Sequence, residues 1–167
     1  MVEPFLLNCV EKNFSEKLLT LPKMLLFLHR NNKTTFIMKK DLIKEARRYV
    51  AYAEKTLSEN GHYNQELKQY EDEKYVRAAG HYLWHAVLMA LDAVFHVRAD
   101  RRTRVDVNDY YEAVRKRDKK LLALVNSSYN VMHLSMDYDG NSRKKVCDDG
   151  IALANDIIDR CASLVAS

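Results

Sequence analysis

One face of the helix predicted over residues 71–97 carries side chains that can bind metal or move protons. At about 100° per residue, one sector of roughly 60° holds His81, His85, Asp92 and His96. Imidazole is an ordinary zinc ligand, so His81 and His85 could hold a metal with His133 as a third ligand. A metal-dependent enzyme is therefore one hypothesis. We favour the structural alternative, in which this face is the less buried stripe of a mostly buried helix.

A second set of residues, between Arg98 and Lys120, could bind phosphate. The segment contains nine basic and five acidic residues, a net charge of +4, which equals the formal net charge of the whole chain. Any positive field is therefore concentrated there, and arginine beside tyrosine suits the phosphates and bases of RNA or a nucleotide. We predict these contacts for Arg98, Arg101, Arg102, Arg104, Arg115, Arg117, Tyr110 and Tyr111. The alternative is a solvated connector with salt-bridged ends.

Signatures of the common catalytic classes are missing from the sequence. The chain has no glycine-rich phosphate loop, no nucleophile elbow, no HExxH motif and no pair of Glu-x-x-His motifs. We therefore expect a binding protein rather than an enzyme, and we expect no cofactor.

The elements that position these groups are predicted to be helices. The chain has two prolines and four glycines, and no proline follows Pro22, which favours long helices and excludes an all-β fold. Apolar residues recur at three and four positions. They predict helices over about 39–60, 71–97, 106–116, 118–136 and 142–164, with polar connectors at 62–69 and 98–105. We expect an all-α protein, an up-and-down antiparallel bundle of four to five helices.

The first 37 residues differ from the remainder of the chain. Their apolar pattern breaks after Leu28, and Met38 followed by two lysines and an aspartate is typical of the beginning of a cytoplasmic protein. We predict that residues 1–37 are a helical appendage outside the core domain, and that residues 38–167 form the bundle.

Cysteine usage and hydropathy indicate the compartment. Cys147 and Cys161 are predicted to share one helix, where fourteen residues separate them by about 21 Å, too far for a disulfide. No signal peptide is recognisable, and no apolar run reaches the roughly 20 residues of a membrane helix. We expect a protein of a bacterial-type cytoplasm with reduced thiols.

Two stretches resemble the HEPN class of small bacterial helical bundles. They begin at Asp41-Leu42-Ile43 and at Tyr75-Val76-Arg77, and the resemblance extends over about residues 41–165. Members of that class often pair with a minimal nucleotidyltransferase, so the resemblance implies such a protein partner. RNA-cleaving members carry an arginine followed, after four to six residues, by a histidine. Three residues separate Arg77 from His81 and seven separate it from His85, so we expect a non-catalytic member.

The function predicted from the sequence is binding of RNA or a nucleotide through the basic segment. One alternative is an interaction protein that forms a homodimer or holds a protein partner through an apolar helix face. The further alternative is the metal-dependent enzyme described above.

Overall fold

The computed structural model describes residues 38–97 and 105–166 of the chain. Five α-helices, one π-helical segment and one two-stranded hairpin make up this described part. They are α1 (38–60), β1 (Tyr63–Asn64), β2 (Gln69–Tyr70), α2 (Glu73–Phe95), α3 (Val107–Arg115), α4 (Lys119–Ser128), the π segment (Tyr129–Tyr138) and α5 (Lys144–Ala166). The predicted all-α class, a bundle of helices, is confirmed.

Helix α2 lies at the centre of the core and packs against α5, the π segment and α3. Buried positions surround more than half of its circumference, as expected for a helix that has neighbours on several sides. The apolar stripe of α1 follows the helical period and joins the same core, with buried Ile43, Ala46, Val50, Ala53 and Leu57. Burial of these periodic apolar positions holds the helices together.

Helix α5 contributes both of its cysteines to the core. Cys147 and Cys161 are fully buried free thiols. Burial raises the pKa of each thiol to about 12, because the thiolate would lose its hydration. Both side chains therefore act as small apolar groups in the core.

The connector predicted at 62–69 contains a short β-hairpin. Tyr63 pairs with Tyr70 and Asn64 with Gln69 in antiparallel register. The turn is stabilised by the Asn64 side chain, whose Oδ1 accepts hydrogen bonds from the backbone N–H groups of Glu66 and Leu67. An isolated bridge between Gln69 and Arg143 ties the hairpin to the start of α5. Two-residue strands are too short to show an alternating apolar pattern, so the sequence analysis missed them.

The single helix predicted from Asp118 to Met136 changes its winding partway. It is α-helical through Ser128 and π-helical over Tyr129–Tyr138. Bonds of the i→i+5 type place more residues in each turn than in an α-helix. The predicted start of this helix is confirmed, because the Asp118 carboxylate accepts hydrogen bonds from the backbone N–H groups of Lys120 and Leu121.

Several sequence predictions lie outside the described residues. They concern the appendage at 1–37 and the arginines within 98–104. Among the described residues, no helix is both long enough and apolar enough to cross a membrane.

Candidate functional site

The turn between α3 and α4 presents five cationic side chains, which we name the α3–α4 basic cluster. It consists of Arg115, Lys116, Arg117, Lys119 and Lys120, and all five residues are exposed. The turn is closed by hydrogen bonds from the backbone N–H groups of Arg117 and Asp118 to the Val114 carbonyl, at 3.0 and 2.9 Å. Because α4 begins immediately after this tight turn, the charged side chains around it are held close together.

Asp118, the one acidic residue among residues 115–120, has its carboxylate bound by two other groups. Its Oδ2 lies 2.5 Å from Arg160 Nε on α5, and its Oδ1 accepts from the backbone at the start of α4. The hydrogen bond from Arg160 is the main reason that the pKa of Asp118 lies below its ordinary value, and the two backbone N–H donors add to it. Asp118 is therefore engaged by α4 and α5 and leaves the charge of the cluster uncompensated.

Most of the cluster has no acidic partner in the part of the chain that the structure describes. Arg115 pairs with Glu112 on its own helix, at 2.8 Å. Within residues 38–97 and 105–166, the remaining four cations form no ion pair. They are Lys116, Arg117, Lys119 and Lys120. These four side chains can exchange their counterions for the phosphates of a ligand.

The two tyrosines predicted to stack on bases occupy different environments. Tyr110 is 2% exposed, and its hydroxyl donates to the Asp92 carboxylate, with oxygen–oxygen distances of 3.1 and 3.2 Å. The ring of Tyr110 is part of the core, so little of its surface is exposed for stacking on a base. Tyr111 is half-buried and meets the Tyr129 ring edge-on at 6.5 Å. The pKa of Tyr111 is raised, mainly because the hydroxyl is partly buried and to a smaller extent because Tyr129 is nearby.

The histidines predicted on α2 do not assemble a metal site. His81 and His85 stack with their ring planes 4° apart at 6.5 Å, and His85 also contacts the Tyr49 ring at 4.8 Å. His96 terminates α2 in a left-handed conformation. No group of three or more His, Cys, Asp or Glu side chains in the described ranges can hold a metal ion. The site predicted from His81, His85 and His133 is therefore not formed.

His81 and His133 instead meet at one carboxylate on the π segment. The Nδ1 atoms of His81 and His133 lie 3.6 and 3.5 Å from Asp137 Oδ2. His133 Nδ1 is buried and makes no hydrogen bond within the described residues, so it lies near Asp137 without a bond of good geometry.

Two residues of α2, Gly80 and Arg77, allow the π segment to pack closely against that helix. A Cβ atom at Gly80 would lie 2.7 Å from the Asp137 backbone nitrogen and 2.8 Å from the Met132 carbonyl oxygen. Only glycine permits this approach. Arg77 donates to the carbonyls of Asp137 and Asp139, each at 3.1 Å, and to that of Tyr138. A cation at the carbonyl end of a helix is favourable, so Arg77 stabilises the end of the π segment.

His133 also lines a pocket of about 540 Å³, which we name the aromatic pocket. Its wall includes a cluster of three rings. Trp84 and Tyr129 meet at 5.5 Å with planes 70° apart, and His133 lies 5.1 Å from Tyr129 and 5.9 Å from Trp84. The lining residues are Trp84, Leu88, Val105, Asp106, Val107, Tyr110, Tyr129 and His133.

The sequence analysis missed the aromatic pocket because its walls come from three separate elements. Trp84 and Leu88 lie on α2, Tyr129 and His133 on the π segment, and the remainder at the start of α3. Only one signal for the pocket was present in the sequence: Trp84 is the single tryptophan of the chain, in the middle of its longest apolar helix.

Comparison with known proteins finds similarity to a family model and to a solved structure. A family model described as a domain of unknown function (DUF5618) matches residues 41–163. A solved structure, a protein of unknown function from Dyadobacter fermentans, is 34% identical and superimposes with a TM-score of 0.66. The match covers 74% of this chain and 94% of that one. No curated protein matches the chain.

Proposed function

The chain belongs to the family described as a domain of unknown function (DUF5618), and we propose that it is a non-catalytic bundle that binds RNA or a nucleotide by the phosphates. The observation that carries this proposal is the α3–α4 basic cluster. Four of its five cations have no ion pair among the described residues, while its own carboxylate is engaged by Arg160.

Phosphate binding fits the chemistry of this cluster. Arg117 offers a planar fork of N–H donors that matches a phosphate, and the lysines add mobile point charges. Each cation that neutralises a phosphate releases a counterion from the nucleic acid, so binding of this kind weakens steeply with salt. The cluster requires no preformed cavity, because the phosphates of a single strand are themselves exposed.

The test is fluorescence anisotropy of a labelled single-stranded RNA across a salt series. The wild type is compared with Arg117→Glu/Lys119→Glu and with Lys144→Glu/Lys145→Glu, a control of equal charge change on α5. We expect the first variant to lower the slope of log affinity against log salt by about 1.4, roughly 0.7 for each lost contact. The control is expected to bind nearly as the wild type does. Absence of binding at low salt, or equal weakening by both variants, contradicts the proposal.

The arginines predicted within 98–104 extend the proposal to a segment outside the described residues. The double variant Arg101→Glu/Arg102→Glu in the same titration tests them. A collapse of binding adds this segment to the interface, whereas unchanged binding confines the interface to the α3–α4 basic cluster.

The HEPN-like grouping stays a prediction, supported by the helical layout of the chain, whereas the missing arginine–histidine spacing departs from the class and supports only the expectation of a non-catalytic member. A nucleotidyltransferase-like partner belongs to the same prediction. The cytoplasmic location is also a proposal, supported by two buried cysteines that remain as free thiols.

A second candidate function is binding of a protein partner, including a second copy of the chain. It is favoured by an aromatic surface formed by α1 and α2, where Tyr49, Tyr52 and Tyr82 contact each other at 6.0 to 6.4 Å and Tyr52 is 43% exposed. Light scattering across a dilution series tests the homodimer. A dimer that persists in the wild type and dissociates with Tyr52→Glu supports this interface, and a wild-type monomer contradicts it.

A further inference from the structure

We propose that the aromatic pocket holds one unpaired nucleobase that bears an exocyclic amino group. This inference rests on the proposed binding of RNA or a nucleotide and adds a second, base-reading subsite to it. The juxtaposition that carries it is the ring pair of Trp84 and Tyr129 together with Asp106 in the lining of one pocket.

The dimensions and walls of the pocket suit a planar ring. Its volume of about 540 Å³ falls within the range of small-molecule sites, roughly 300–1,000 Å³. Trp84 and Tyr129 stand nearly perpendicular at 5.5 Å and both line the pocket, so a planar ring that enters it meets aromatic side chains. Unpaired bases are commonly held by stacking on aromatic side chains, which accepts any base.

The polar groups of the pocket select among the bases. Asp106 caps α3, and its carboxylate accepts hydrogen bonds from the backbone N–H groups of Asn108, at 2.6 Å, and of Asp109 in a capping box. An ionised carboxylate is an acceptor with two oxygens and several lone pairs, so Asp106 retains capacity for a donor from a ligand. The amino groups of cytosine, adenine and guanine are such donors, whereas uracil has no amino group. The pocket is therefore expected to bind amino-bearing bases more tightly than uracil.

The position of the pocket relative to the α3–α4 basic cluster favours a short strand. Helix α3 joins the two sites, since Asp106 caps its beginning and Arg115 is its last residue. Nine residues at about 1.5 Å each separate the sites by roughly 13 Å. An oligonucleotide of several residues can place one base in the pocket and its phosphates at the cluster. A mononucleotide reaches only one of the two sites. We therefore expect an oligonucleotide to bind more tightly than a mononucleotide.

The chain supplies its own probe for this pocket. Trp84 is the only tryptophan, so its fluorescence reports occupancy without a label. Cytidine, adenosine, guanosine and uridine, which lack phosphate, are titrated separately with excitation at the red edge of the tryptophan band. We expect quenching by the three amino-bearing nucleosides, with uridine at least fivefold weaker. Cytidine monophosphate should bind as cytidine does, and a short cytidine oligonucleotide at least tenfold more tightly.

Two matched variants localise the interaction. Asp106→Asn keeps a residue that caps a helix well but removes the anionic acceptor, so it is expected to lose the preference over uridine. Glu112→Gln makes the same charge change on α3 at a residue that does not line the pocket, and is expected to keep the preference. Equal behaviour of the two variants overturns the role of Asp106.

The outcomes separate this inference from the proposed function. RNA binding that depends on the α3–α4 basic cluster, without quenching by nucleosides, overturns the base pocket and leaves phosphate binding intact. Quenching by nucleosides with no effect of Arg117→Glu/Lys119→Glu on RNA supports the pocket and overturns the cluster. Quenching by choline as strong as that by cytidine overturns the inference, because the pocket would then be an aromatic cage for cations.

Discussion

Asp118 connects the start of α4 to α5 through its carboxylate. It is the N-cap of α4, follows the end of α3 closely, and its Oδ2 lies 2.5 Å from Arg160 of α5. Its side chain is only 10% exposed, so water competes little for these bonds. The ionised form is favoured in the folded protein because both Arg160 and the backbone donors bind the charge.

The pKa of Asp118 predicts a pH-dependent contribution to stability. In the folded state this pKa lies below its ordinary value. The contribution is therefore fully present above the pKa of the unfolded chain, about 3.9, and is lost as the pH falls through the folded pKa. Asp118→Asn, which keeps a good cap, is expected to be less stable than the wild type at neutral pH and equally stable in acid.

Urea unfolding at several pH values, which gives the free energy of unfolding at each pH, tests this prediction. Asp118→Ala serves as the comparison, because it removes the cap as well and is expected to cost about 1 kcal/mol more than Asp118→Asn. A difference between wild type and Asp118→Asn that does not change with pH contradicts the assignment to this carboxylate.

The residue types in the sequence were sufficient to predict the charged groups of the candidate site. They were not sufficient to predict which side chains contact each other. The exposed cations at 115–120 could be predicted, because a run of charged residues between two helices has no place in a core. The burial of Tyr110 against Asp92 could not, since the two residues lie on different helices and their contact depends on how the helices pack. The shared approach of His81 and His133 to Asp137 likewise depends on how two helices pack.

At the scale of elements, the π segment determines which side chains face α2. The apolar residues Met132 and Met136 fit an α-helix and a π-helix equally well, so the sequence pattern could not indicate the change in winding. Its causes lie in tertiary structure. Gly80 allows the backbone of the π segment to approach α2, and Arg77 binds the carbonyls at its end.

Replacing Gly80 with alanine tests this packing. Alanine favours a helix interior by about 1 kcal/mol, so propensity alone predicts stabilisation. The added Cβ would lie 2.7–2.8 Å from backbone atoms of the π segment, and overpacking of this kind costs about 1–3 kcal/mol. We therefore expect Gly80→Ala to lower the free energy of unfolding and to shift the His133 imidazole resonances in NMR spectra.

The matched control for this substitution is Ala51→Gly on the exposed side of α1, which reports helix propensity without a packing change. It is expected to destabilise by about 1 kcal/mol. If Gly80→Ala raised the free energy of unfolding by a similar amount, the π segment would accommodate the added Cβ without loss of stability. That result would contradict the prediction.

At the scale of the molecule, residues from Ile43 to Cys161 form one core that includes every described helix. This much was predictable, because long apolar periodicities and the shortage of glycine and proline determine an all-α class. Which helix is central also followed from the pattern, since α2 is apolar around most of its circumference. The hairpin and the aromatic pocket arise from contacts between distant segments and carry no periodic signal.

A chain that begins at Met38 is expected to fold cooperatively. Residues 38–167 form a compact unit by themselves, and the family model begins its match at residue 41. Calorimetry should show a melting temperature within about 4 °C of that of the full chain, the shift that about 1 kcal/mol produces at this size. A larger loss, or a broadened transition, would mean that residues 1–37 complete the core.

The two buried thiols of α5 can report, through their alkylation rates, how often that helix opens. Alkylating reagents require an accessible thiolate, and Cys147 and Cys161 offer none while α5 remains in place. In a protein with Cys9 changed to serine, each alkylation event therefore records one opening of α5. Cys147 lies near the beginning of α5 and Cys161 near its end, so the ratio of the two labelling rates tells which end of the helix detaches first.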